Sequence, residues 1–158
     1  MAVADEISRI ARLDFASVTP DDFARMVKGL SGRQLAEISR DGALRARVLG
    51  EVFGRMERQF RPEAAGSLTA LIRWTVTGDG AGPDVVYETR IADGTCTVRQ
   101  GRSAAEPRLA LAMADAEFLR LVSGNASPVM LFVTRKVRVT GDVALAAGLA
   151  RYFDIPKA

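Results

Sequence analysis

Apolar positions change their spacing twice along the chain. Phe23, Met26, Val27 and Leu30 recur at helical intervals. Thr19-Pro20-Asp21-Asp22 before them makes a helix start, with a capping hydroxyl, a proline in the first turn and acids after it. Ser31-Gly32-Arg33-Gln34 reads as a capping box ahead of Leu35 and Ile38. Asp41 caps a third helix in which Leu44, Val48, Val52, Phe53, Met56 and Phe60 form one stripe. Glu51 and Arg55 pair at i, i+4 on the opposite side, and Pro62 ends the element.

From Ser67 the spacing falls to two. Leu68, Ala70, Ile72, Trp74 and Val76 alternate with Thr69, Leu71, Arg73, Thr75 and Thr77, which predicts a strand with one buried face. Gly78 to Pro83 is a loop. A second strand runs from about Val85 to Ile91, Asp93-Gly94 is a hairpin turn, and Thr95 to Gln100 is a third strand. Pro107 precedes a fourth, with Leu109, Leu111 and Met113 on one face. Short turns between consecutive strands predict an antiparallel meander.

Helical spacing then returns. Asp115 is placed to cap a helix carrying Phe118, Leu121 and Val122, closed by Gly124. Ser127-Pro128 opens a segment in which Val129 to Val133 are all apolar. Such a segment is either buried all round or turns one side to something apolar that is not the core. Arg135 to Thr140 alternates again, with Val137 and Val139 on one face, as a fifth strand. Asp142 caps a final helix from Val143 to about Phe153. No repeat, low-complexity tract or long Pro/Ser/Gly linker divides the chain, so the pattern describes an α+β domain.

Composition narrows the function classes. The 158 residues suffice for an ordinary core, and 48% apolar with 26% charged residues is a globular balance. No apolar run is long enough to cross a bilayer, Met1 to Arg12 lacks the apolar stretch of a signal peptide, and Ile155-Pro156-Lys157-Ala158 is no peroxisomal address. Cys96 is the single cysteine, so a reducing, cytoplasmic compartment is expected. The net charge is only +3, with acids scattered among the bases, which argues against nucleic-acid binding. All basic residues except Lys28, Lys136 and Lys157 are arginine, a usage that points to a GC-rich, bacterial genome.

The chain has no histidine, which removes the commonest general base, the Ser-His and Cys-His nucleophile pairs and most zinc sites. Cys96 lies between Thr95 and Thr97 in a strand and reads as a buried thiol. Gly78-Asp79-Gly80-Ala81-Gly82 lacks the spacing of a phosphate loop and no helix follows it. Asp79, Asp84, Glu88 and Asp93 are acids near strand ends, where solubility is the ordinary reason for them. Arg135-Lys136-Val137-Arg138 is the densest basic cluster: either a solvated strand edge or a contact for anionic headgroups.

Several stretches taken together resemble the SCP-2 (sterol carrier protein 2) sterol-transfer family. They are Leu68 to Trp74 with Gly78-Asp79-Gly80, Ile91 to Val98, Met113 to Lys136, and Val139-Thr140-Gly141-Asp142 with the helix after it. The likeness covers roughly Val52 to Phe153. It implies a five-stranded, mainly antiparallel sheet covered by helices, with an apolar tunnel between the sheet and the C-terminal helices. It also implies a lipid-binding domain over 51–158, preceded by an N-terminal helical extension over 1–50.

The resemblance further implies non-covalent carriage of a fatty acid, acyl-CoA, sterol or related lipid, with no catalytic residue, metal or cofactor. The tunnel wall would be drawn from Ile72, Trp74, Val76, Phe118, Leu121, Val122, Met130, Leu131, Phe132, Leu145, Leu149 and Phe153. Met113 and Met130 would lend adaptability. The last helix, moving near Gly141 and Gly148, would be the gate. A membrane surface is an expected transient partner, and the N-terminal helices a surface for a second copy or a partner enzyme. Two other readings stand beside this one. One is an accessory module that presents a hydrophobic intermediate to an enzyme. The other is an enzyme using carboxylate or arginine chemistry on a bound lipid.

Overall fold

The computed structural model of the protein describes residues 19–78 and 83–153. Met1 to Arg12, most of the Gly78 to Pro83 loop and the C-terminal Ile155 to Ala158 lie outside the described residues. Three helices come first: α1 (Pro20–Gly29), α2 (Gly32–Arg40) and α3 (Gly42–Gln59). Each start carries its expected cap. Thr19 Oγ1 accepts from Asp22 N, Ser31 and Gln34 bond reciprocally, and Asp41 Oδ1 accepts from Leu44 N. These caps satisfy N–H groups that have no partner inside the helix. A short α4 (Pro62–Ala65) follows.

The sheet contains β1 (Ala70–Thr77), β2 (Val85–Ala92), β3 (Thr95–Gln100), β4 (Leu109–Ala114) and β5 (Val137–Gly141) in the order β3-β2-β1-β4-β5. It is mainly antiparallel, as expected. It is not a simple meander, however. β4 lies beside β1 and parallel to it, Trp74 opposite Leu111. A parallel neighbour needs a crossover, and here residues 101–108 pass behind the sheet. Arg73 and Glu88, on the rear faces of β1 and β2, form a buried pair at 2.7 Å. Arg73 Nη2 donates to the carbonyls of Ser103 and Ala105, while Ser103 N donates to Glu88 Oε1. The ion pair thus holds the crossover in place.

The front face takes Ile72, Trp74 and Val76 of β1, Tyr87, Thr89 and Ile91 of β2, and Leu109, Leu111 and Met113 of β4. The long α3 packs over its β1–β3 half. Phe53 stacks on Tyr87 and on Phe118, with ring centroids 4.0 and 4.9 Å apart, and Trp74 meets both Phe53 and Phe118 edge-on. Trp74 Nε1 donates to Thr89 Oγ1 at 3.0 Å. This half of the core is closed by large interlocking rings.

Four short helices cover the β4–β5 half: α5 (Asp115–Val122), α6 (Pro128–Val133), α7 (Val143–Ala147) and α8 (Leu149–Tyr152). The single final helix expected from Val143 is broken at Gly148 into α7 and α8. The cap expected from Asp142 is present, and Ser127 Oγ also caps α6 by accepting from Met130 N. Asp115 is not a cap. It occupies the first turn of α5, behind Ala114, and turns inward to Arg45. Arg55 also departs from expectation: it is buried, and that burial lowers its pKa while neighbouring Glu51 pulls it upward. The boundary drawn at residue 50 falls inside α3. Val27, Leu35 and Ile38 before it and Val52, Phe53 and Met56 after it belong to one core cluster.

Candidate functional site

A cavity of about 240 Å³ lies between the β4–β5 half of the sheet and the four short helices. Leu111 and Met113 of β4 and Val137 and Val139 of β5 form its floor. Leu121 of α5, Pro128, Val129, Leu131 and Phe132 of α6, Val143, Ala146 and Ala147 of α7 and Leu149 of α8 form its walls. Every lining residue is apolar. Helices of four to eight residues pave this half of the sheet, where α3 with its 18 residues paves the other. Small side chains at Ala146 and Ala147 leave the roof thin. A separate, smaller void of about 30 Å³ lies toward α3, bounded by Met56, Gln59, Trp74, Val122 and Phe153, and shares Leu121, Pro128 and Leu149 with the first.

An apolar cavity of this size does not favour water, which needs polar partners. An engineered void of about 150 Å³ with similar lining stays dry and takes benzene. Chemically, the site offers apolar contact, with no charged group, hydroxyl or thiol in its wall. Among the described residues no cluster of His, Cys, Asp or Glu is arranged to hold a metal ion. Cys96 faces the α3 side of β3, opposite Ile91, and burial together with Glu57 pushes its thiol up to about 11.

The structure separates the twelve expected wall residues. Leu121, Leu131, Phe132 and Leu149 line the main cavity. Trp74, Val122 and Phe153 line the smaller void. Met130 stands on the outer side of α6, in an open groove with Arg120 and Lys136. Ile72, Val76, Phe118 and Leu145 are buried at 0–5% exposure and border neither void. Ile72 and Val76 flank Trp74 on β1, and Phe118 is stacked in the aromatic cluster. Sequence reasoning did not place Leu111, Val129, Val137, Val139, Val143, Ala146 or Ala147 in the wall. The period-two alternation of β4 and β5 was the available signal for the strand residues. It shows which face is apolar, though not that helices leave this face partly uncovered.

The α6 segment is not buried all round, which leaves the other expected alternative, one side turned to something apolar that is not the core. Only Leu131 is buried, while Val129, Met130, Phe132 and Val133 are 46–66% exposed. The helix is a thin outer wall: Val129 and Phe132 touch the cavity and solvent at once.

The tail of the chain is tied to α4. Arg61 N donates to Tyr152 O at 2.7 Å, and Phe60 bridges Phe153 with ring centroids 5.9 Å apart.

A five-stranded mixed sheet with helices enclosing an apolar cavity defines a small α+β domain built around a hydrophobic interior. The sequence pattern of the SCP-2 sterol transfer family matches residues 53–154, and the chain belongs to that family. It is 24% identical over 106 residues to hydroxysteroid dehydrogenase-like protein 2 from Xenopus laevis, a match that covers 67% of this chain and 25% of the relative. The chain therefore spans about a quarter of that relative's length.

Among solved structures, a sterol carrier protein domain 2 from Helicoverpa armigera aligns with a TM-score of 0.52 and 17% identity, covering 66% of this chain and 80% of that one. Palmitated SCP2L2 from Aedes aegypti aligns at 0.50 and 18%, covering 65% and 87%. The sec-alkylsulfatase Pisa1 from Pseudomonas sp. aligns at 0.57 and 11%, covering 99% of this chain and 30% of that chain. At these identities the likeness is one of fold.

Proposed function

We propose that this chain binds a hydrophobic ligand, a fatty acid, acyl-CoA, sterol or related lipid, and transfers it without covalent chemistry. The observation that carries the reading is the wholly apolar cavity between sheet and short helices in a member of the SCP-2 sterol transfer family. Each methylene taken from water into such a space contributes about 0.8 kcal/mol, and this gain asks for no particular headgroup. The main and smaller voids, sharing Leu121, Pro128 and Leu149, are the two ends of one tunnel that the ligand opens fully. Trp74, Leu121, Val122, Leu131, Phe132, Leu149 and Phe153 contact the ligand. The gate is α7 and α8, which meet at Gly148. A palmitated neighbour of the same fold supports an acyl chain as one ligand.

Titration of the delipidated protein with a fluorescent fatty acid tests this. Saturable binding near one-to-one is expected. Failure to saturate with fatty acid, acyl-CoA and sterol probes alike ends the proposal.

A second reading is favoured by the Pisa1 alignment, in which a chain like this one is under a third of a larger enzyme. On that reading the domain holds a hydrophobic intermediate for a catalytic partner, docked through the N-terminal helices. A stable partner recovered by pulldown, together with no lipid uptake by the isolated chain, would favour it.

A further inference from the structure

Among the described residues the exposed large apolar side chains are Val129, Met130, Phe132, Val133 and Val143. All lie on α6 or at the first residue of α7, at the outer wall of the cavity. A contiguous apolar patch of this kind marks a surface that meets something other than water. The stretch of sequence that carries α6 and β5 is of one charge sign, bounded by Glu117 and Asp142. No acidic residue occurs between Glu117 and Asp142, whereas Arg120, Arg135, Lys136 and Arg138 all fall within that span. Arg135, Lys136 and Arg138 are exposed and share a groove with Phe132 and Val133. The rest of the chain mixes its charges, so this region concentrates positive potential.

We infer that the α6 tip and the Arg135-Lys136-Arg138 cluster form the face by which the chain docks on an anionic lipid bilayer. This inference rests on the carrier reading of the cavity. Apolar side chains at the tip of a short helix enter the boundary between headgroups and acyl chains, and the cations around them meet the lipid phosphates and carboxylates. A second copy of the chain fits less well, because a symmetric contact would bring the same cations face to face. The position of the patch supplies the remaining reason. Val129 and Phe132 line the cavity on one side and are solvent-exposed on the other. A chain docked by this face presents the thinnest wall of its cavity to the bilayer, so a lipid moves between the two without crossing water.

Co-sedimentation of the full chain with vesicles tests the face. Vesicles of equal parts phosphatidylcholine and phosphatidylserine are expected to bind the protein at least roughly tenfold better than phosphatidylcholine alone, and the preference should fade with added salt. Replacing Arg135 and Arg138 together by Glu should remove about tenfold or more of that binding. Val133→Asp should weaken binding to both vesicle types, about fivefold. Val133 is 66% exposed, so this variant should keep the wild-type melting temperature and fatty-acid affinity in solution.

Equal binding to both vesicle types, or variants that bind like wild type, would overturn the inference. A dimer in sedimentation velocity that Val133→Asp dissolves would also overturn it, since a second copy would then cover the face. Uptake of fatty acid in solution with no vesicle binding would overturn the docking face and leave the carrier reading standing. Vesicle binding that the variants weaken, with no fatty-acid uptake, would support the face and sink the carrier reading.

Discussion

Arg45 on α3 donates from Nε to Asp115 Oδ2 on α5 at 2.8 Å, and both side chains are almost wholly buried although 70 residues separate them in sequence. The same guanidinium donates to the carbonyls of Val76 and Pro83. It therefore joins the helical segment, the end of β1, the loop before β2 and the start of the cavity-forming helices. Among the described residues Asp115 Oδ1 has no hydrogen-bond partner.

Removing one member of such a pair leaves a buried charge uncompensated, and this costs far more than removing both. Arg45→Ala is expected to lower stability by about 3–5 kcal/mol in urea denaturation. The double change Arg45→Met with Asp115→Leu should recover most of that loss. A double variant as unstable as Arg45→Ala would show that the aspartate is not the reason for the loss.

Filling the cavity should separate binding from folding. Ala146 lines the cavity on α7, where added volume projects into empty space. Ala146→Phe is expected to weaken fatty-acid binding about tenfold or more, while the change in stability stays below the roughly 1–3 kcal/mol usual for overpacking a filled core. Fluorescent-ligand titration and thermal melting read the two quantities. Unchanged affinity in a folded variant would place the ligand elsewhere.

Gly141 closes β5 with φ +101°, in the region that side chains avoid, and a Cβ there would run into the Arg108 carbonyl oxygen. That oxygen accepts from Asp142 N at 3.0 Å, and Asp142 caps the helix that carries Val143, Ala146 and Ala147. Gly141→Ala should cost at least about 1–3 kcal/mol by urea denaturation. It should also weaken ligand binding, because it displaces the cavity roof. A variant as stable as wild type would refute the steric reading.

Stability should respond to acid through Glu88. Burial pushes its carboxyl pKa up, but hydrogen bonds from Ser103 and Arg73 more than offset this and hold it below the ordinary value. A lowered folded pKa means the stabilisation is present above the unfolded value and is lost as pH falls through the folded one. The urea midpoint should therefore drop between about pH 5 and pH 3, and this drop should be smaller in Glu88→Gln, which is less stable at neutral pH. Parallel pH profiles for the two proteins would remove Glu88 from this role.

What was legible in the sequence was local. The caps at Thr19, Ser31, Asp41 and Asp142 lie within three residues of the N–H groups they satisfy, so spacing alone reveals them. The Asp93-Gly94 turn was legible for the same reason: both residues have positive φ, which that dipeptide tolerates. Asp115 shows the limit. Its place ahead of an apolar helix is that of a cap, and nothing nearby in the sequence reveals that Arg45 claims it.

By itself, then, the sequence determined the five strands and the helices other than α4 and the break at Gly148, with the apolar face of β1 and β4 and the apolar character of the helices that follow the sheet. Tertiary structure alone decided that β4 pairs with β1, that Phe118 closes the core while Leu121 borders a void, and that α6 turns most of its apolar residues outward. These outcomes depend on which surfaces meet across long separations. A hydrophobic side chain carries the same drive to leave water whether a ring, a cavity or a bilayer receives it.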